Sequence, residues 1–276
     1  MTERISITGV DGTGKTTIVR RLAAASEDGG IRAFRAPQYH EDPDLPFGAL
    51  SEAIDRMSVL GDRRGDPLLK TSALFLSMTL YGDVERHLAA AYAPRWLVGE
   101  RQCLADSLTY ARFYFPLLQG RLDQAALEPV LRAELGADGF ERVLAWHRLA
   151  LGRLGEVEPQ PFWALPEVIK AIFSAPAEAL VPRLEALYHA TPPDRIILLT
   201  VRPEALKERL AAKRGGEGAP QELHEQAHVL AMFQAGLRES CELLGRIKPE
   251  IRLDVIDTST QTPAETVDVV TALIRG

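Results

Sequence analysis

Residues 9–17 read GVDGTGKTT, which fits the pattern G-x-x-x-x-G-K-[ST] with Gly9, Gly14, Lys15 and Thr16 at its fixed positions. The flanks make the match constraining. The apolar run ISIT leads into the glycines, and TTIVRRLAAA continues beyond them with helical spacing. Strand, tight loop and helix N-terminus together make an anion site. Gly12 and Gly14 let backbone N–H groups turn inward, and the helix end adds a field that favours negative charge. Lys15 is then expected to reach the β- and γ-phosphates of ATP, and the Thr16 hydroxyl to ligate Mg²⁺. Thr13 and Thr17 complete the expected ATP loop. Asp11 is out of character there. Phosphates repel a carboxylate, so it is expected to turn away from the triphosphate and find a partner such as a sugar hydroxyl.

The rest of the chain repeats the alternation that the loop begins. Strand-like runs occur at 4–8, 31–35, 96–99, 195–201 and 251–256, with helical patterns at 15–26, 48–57, 69–92, 203–213, 222–244 and 263–274. Such alternation implies an α/β fold of the P-loop NTPase type, with a five-stranded parallel sheet flanked by helices. Ligands in such sheets lie beyond the carboxyl ends of the strands. That rule points to GVDGTGK, RAPQYHED, GERQ and DTST as the segments lining the site. The long connection before the fourth strand is unusual. It has helical spacing at 122–135, 140–151 and 166–188, and reads as a helical insertion, 112–192, within one kinase-sized domain, 1–276.

Composition sets the outer limits. The 276 residues carry a net charge of −6, which argues against binding a nucleic-acid polymer or an anionic membrane surface. Two distant cysteines without metal-ligand spacing read as reduced thiols of a cytoplasmic protein. The chain enters a strand pattern almost at once, with no room for a signal peptide, and has no apolar run of membrane-spanning length.

GVDGTGKTT resembles the loop of the thymidylate kinases, in which an acid at the position of Asp11 faces the deoxyribose of the acceptor. Five further segments resemble that family in order. FRAPQY (34–39) is similar to a strand end whose Pro-containing turn approaches the acceptor phosphate. KTSALFLSMTLYGDVERHLAAAY is similar to the helix lining the base pocket. WLVGERQCLADSLTY is similar to the strand ending in Asp-Arg and the helix with Ser and Tyr near the base. ILLTVRPEALKERLAAKR and VIDTSTQTPAETVDVVTALI are similar to the closing strands, the approach to the lid and the adenine-side loop. The resemblance implies that Asp11, Pro37, Tyr39, Phe75, Arg101, Ser107 and Tyr110 hold the acceptor, and it suggests a homodimer. Departures accompany it. Asp-Arg becomes Glu100-Arg101, which also resembles the related deoxynucleoside kinases, and Ser77 to Leu80 stand where the family carries a base-reading Asp-Arg.

Glu100 can hold Mg²⁺ beside Thr16 or orient Arg101, and Arg101 can bind the acceptor or transferring phosphate. Transition-state charge needs further cations, and Arg209, Lys213 and Arg214 stand at the entrance to a glycine-rich lid, 213–224. The acceptor separates the readings. A nucleoside hydroxyl benefits from a carboxylate base, whereas a monophosphate oxygen needs clamps. The second strand ends Arg35-Ala36-Pro37, without a carboxylate, which favours a (deoxy)nucleoside monophosphate such as dTMP or a related pyrimidine nucleotide. A deoxynucleoside kinase and a non-catalytic nucleotide-binding module are the alternatives.

Overall fold

The computed structural model describes residues 2–24, 30–155, 160–214 and 227–276. In chain order, β1 (Glu3–Gly9), α1 (Lys15–Ala24), β2 (Ile31–Arg35), α2 (Gly48–Arg64), α3 (Pro67–Met78) and α4 (Tyr81–Tyr92) come first. β3 (Trp96–Glu100), α5 (Cys103–Tyr114), α6 (Gln124–Gly152), α7 (Leu165–Phe173) and α8 (Ala177–Tyr188) follow. The chain ends with β4 (Arg195–Thr200), α9 (Pro203–Arg214), α10 (Ala227–Ile247), β5 (Arg252–Asp257) and α11 (Pro263–Arg275). Among the described residues no helix is long and apolar enough to cross a membrane. The chain divides into two compact units, 1–35 with 88–109 and 192–276, and 36–87 with 110–191.

The first unit holds the sheet. All five strands are parallel, in the order β2-β3-β1-β4-β5. This is the P-loop α/β fold that the sequence leads one to expect. The central strands are buried on both faces, which is why they read as unbroken apolar runs. On one face Ile5, Ile7, Val98, Ile197, Leu199 and Ile256 pack with Ile18, Val19 and Leu22 of α1 and with Val270 and Ile274 of α11. Burying each such side chain stabilises the fold by about 1.5–3 kcal/mol. β5 forms an edge and shows it, with Arg252, Val255 and Asp257 exposed. α11 starts at a capping box in which the Thr262 hydroxyl and the Glu265 carboxylate satisfy each other's backbone N–H groups. Cys103 and Cys241 are free and buried, and burial pushes the Cys241 thiol up to about 12.

The second unit is helical. α2 runs past the expected Met57 to Arg64 and stops at Gly65, whose φ of 61° supplies the left-handed cap. Asp66 then caps α3, accepting from the N–H groups of Leu68 and Leu69 at 3.0 Å. The continuous helix expected over 69–92 is in fact two. The break falls at Thr79-Leu80, and its reason is tertiary. Thr79 is fully buried, its hydroxyl accepts the Trp146 indole N–H at 2.7 Å, and its carbonyl accepts Arg153 at 3.0 Å. Gly82, just beyond, lies so close to the His189 backbone that a Cβ would sit 2.0 Å from its carbonyl oxygen. The pattern over 166–188 likewise divides, because Ala175 precedes Pro176 and that position disfavours helix. The separation of 122–135 from 140–151 appears as a break inside α6 at Gly136, φ 73° and ψ 162°.

Candidate active site

The loop between β1 and α1 is held shut by its own side chains. The Thr13 hydroxyl donates to the Val10 carbonyl at 2.7 Å, and the Lys15 ammonium donates to the same carbonyl at 2.9 Å. Gly9 is required by contact, since a Cβ there would stand 2.6 Å from the Leu199 carbonyl oxygen of β4. Gly14 is required by conformation, with φ 93° immediately before α1 and open space around it. Thr17 is exposed on the first turn of the helix.

Around the loop the carboxyl ends of β1 and β3 deliver charge. Asp11 lies between two cations, its Oδ1 3.4 Å from Lys15 Nζ and 3.3 Å from Arg101 Nη2. The Thr16 hydroxyl donates to Glu100 Oε1 at 2.7 Å, and Arg35 Nε donates to Glu100 Oε2 at 3.0 Å. The oxygens expected to hold Mg²⁺ are thus adjacent. Hard oxygen donors, few in number, suit an ion that keeps several waters and takes its remaining ligands from phosphates. Burial lowers the Lys15 pKa, opposed chiefly by Asp11. The amine is therefore a desolvated cation whose field is weakly screened.

Two residues unassigned from the sequence complete the cluster. Asp106, on α5, is 2% exposed, accepts the Thr8 hydroxyl at 3.0 Å and receives Arg101 Nη1 at 3.2 Å. Burial raises its pKa, with Arg101 and the Thr8 hydrogen bond acting the other way. Its signal in the sequence is an acid on the largely apolar stretch CLADSL, where burial is expected and an unpaired charge would be costly. Thr258 is the second. Arg209, expected to act as a cation on the transferring group, donates from Nη1 to the Gly12 carbonyl and to Thr258 Oγ1, each at 3.1 Å, and from Nη2 to the Thr258 carbonyl. Its guanidinium ties the glycine loop to the DTST segment after β5.

The remaining expected residues fall differently. Ser107 is buried on α5 in the same unit as the loop. Pro37, Tyr39, Phe75 and Tyr110 belong to the helical unit. There Tyr39 is fully buried, and Phe75 is 5% exposed with its ring edge-on to Tyr188 at 6.3 Å between centroids. Lys213 and Arg214 end α9, but their side chains, and residues 215–224 of the expected lid, lie outside the described residues.

No protein-family model and no curated protein matches this sequence. Among solved structures the chain is similar to a thymidylate kinase from Candida albicans, at 14% identity and a TM-score of 0.44, covering 99% of this chain and 91% of that one.

Proposed function

We propose that this protein is an ATP- and Mg²⁺-dependent nucleoside monophosphate kinase. It would transfer the γ-phosphoryl group of ATP to a (deoxy)nucleoside 5′-monophosphate, and the sequence resemblance makes dTMP the first acceptor to try. The observation that carries the reading is the meeting of Lys15, the Thr16–Glu100 pair and Arg101 around one glycine loop.

Each residue then has a chemical part. Lys15, already desolvated, meets the β- and γ-phosphate oxygens as they displace Asp11 and the Val10 carbonyl. Thr16 and Glu100 would hold Mg²⁺, which when bound offsets the charge on the phosphate oxygens. Arg101, with a planar fork suited to two oxygens, clamps the acceptor phosphate beside the group in transit. Asp11, released from the cations, can accept a sugar hydroxyl. Arg209 keeps the Gly12 peptide and the loop around it in shape. No base is needed, because a monophosphate oxygen is already an anion. The end of β2 agrees, offering Arg35 in an ion pair with Glu100 rather than an open carboxylate. A nucleoside kinase is the second reading, with the partly exposed Asp11 the acid at the loop that could take a hydroxyl proton.

The decisive experiment supplies labelled ATP and Mg²⁺ with a panel of nucleosides and 5′-monophosphates. Label in diphosphates is the expected outcome. Label in monophosphates would instead establish the nucleoside kinase. Bound ATP with no transfer to any acceptor would leave a nucleotide-binding module and overturn the reading.

A further inference from the structure

Arg101 stands in a conformation that a long side chain seldom adopts. Its φ is 76°, in the left-handed region, and its N–H donates to the Ile7 carbonyl of β1 at 2.8 Å. The turn this forces aims the side chain back over the phosphate loop, where its two terminal nitrogens reach two different carboxylates. Nη2 meets Asp11 at 3.3 Å, and Nη1 meets Asp106 at 3.2 Å. The two acids are not equivalent. The Asp11 side chain is 26% exposed on a loop that must admit phosphates, whereas that of Asp106 is 3% exposed and is held on its other oxygen by Thr8. Thr8 and Ile7 are consecutive residues of the strand that becomes the phosphate loop. Backbone and guanidinium of Arg101 are therefore anchored to the same short piece of β1, one directly and one through Asp106.

We infer that Asp106 is a positioning residue that keeps the Arg101 guanidinium in register with the phosphate loop, so that an incoming phosphate replaces Asp11 on Nη2 while Nη1 stays on Asp106. The role assigned to Arg101 rests on the kinase reading above; the anchoring itself does not. A carboxylate this buried is favourable only while its charge is met by hydrogen-bonded partners, which makes the Asp106–Arg101 contact the persistent one and the Asp11 contact the exchangeable one. Misplacing a clamping group by about 1 Å costs on the order of 100-fold in rate, so an anchor that never touches substrate can still govern turnover.

The test compares Asp106→Asn with wild type in two independent ways. In kinetics, kcat/KM for the best acceptor of the panel should fall about 100-fold while the ATP dissociation constant stays within about twofold. In an Arg101→Ala background the same substitution should add less than about a further twofold, because the effect passes through Arg101. In ¹⁵N NMR, the Arg101 guanidinium signals, assigned by their loss in Arg101→Lys, should be sharp in wild type and broadened in Asp106→Asn. If Asp106→Asn does not fold, Thr8→Val removes only the second hydrogen bond of the carboxylate and should lower acceptor kcat/KM about tenfold, the worth of one hydrogen bond to a charged group. Losses that add in the double variant, an ATP affinity that falls in step, or unchanged guanidinium signals would each overturn the inference. A wild-type protein that transfers nothing would overturn the kinase reading instead, and the NMR comparison would still decide the anchoring.

Discussion

The two compact units bury polar groups for different ends. In the sheet unit the charges around the glycine loop pair with one another, and several remain partly solvent-accessible: Asp11, Arg35 and Arg101. In the helical unit one cluster of buried polar groups pairs internally. Arg153, 8% exposed, donates to the carbonyls of Thr79 and Leu187 and to Asp83 at 2.6 Å, and the Arg86 guanidinium also meets Asp83. Trp146 caps the same node through Thr79. The first arrangement can exchange a protein carboxylate for a ligand anion. The second commits Arg153 Nη1 to two backbone carbonyls, one of them at the helix break, and Nη2 to Asp83, and so acts as a brace. Buried charge alone therefore does not mark a candidate site; a partner that a ligand could replace does.

Substitutions in the two units should therefore separate activity from stability. Lys15→Ala should remove transfer by at least about a thousandfold, the scale on which a preorganised cation contributes to phosphoryl transfer. Its melting temperature should hardly change, because the ammonium removed is one that burial already disfavours. A large loss of stability in calorimetry would break the comparison. Arg153→Ala should show the reverse. Leaving Asp83 and two carbonyls without that donor should cost about 3 kcal/mol in a denaturation experiment, with ATP affinity of the folded protein preserved.

His147 supplies a pH test confined to the helical unit. It is 1% exposed, packed edge-on to Phe162, and its Nε2 has no hydrogen-bond partner among the described residues. Burial lowers its pKa to about 4 from 6.5. In the unfolded chain His147 thus binds a proton below pH 6.5, while in the folded chain its imidazole stays neutral down to about pH 4. Its contribution is fully present above pH 6.5 and is lost as pH falls toward 4. The loss should total about 3 kcal/mol at 1.36 kcal/mol per pH unit, and His147→Phe should flatten that part of the stability profile.

The smallest effect concerns the exchangeable acid. Asp11→Asn should raise the acceptor KM about tenfold, the worth of one charge-assisted hydrogen bond, while ATP binds as well as before or better once its competitor for Lys15 is gone. A fall in ATP affinity alone would show that Asp11 supports the donor nucleotide and not the acceptor.

Much of the sheet unit was legible because its signals are local. A strand buried on both faces must be an apolar run, and RIILLT is one. A loop that aims amides inward needs glycines where φ is positive, and Gly12 and Gly14 supply them. Thr262-Pro-Ala-Glu265 announces a helix start through bonds three residues apart. The helical unit was legible only as helices. Helical spacing runs unbroken across Thr79-Leu80, and nothing nearby in the sequence reports that Trp146 and Arg153 will claim Thr79.

The same distinction holds inside the candidate site. The glycine loop, the strands that carry it and the placing of Glu100-Arg101 at a strand end could be read from residue order alone, because each is written in the spacing of neighbouring residues. That the Arg101 fork grips Asp11 and Asp106, that Arg35 meets Glu100 and that Arg209 braces the loop depend on contacts that form only in the folded chain. Thr8 and Asp106 are 98 positions apart, and Arg209 and Gly12 are 197 apart. Contacts between such distant residues exist only once the sheet has brought the strand ends together, so no local pattern foretells them.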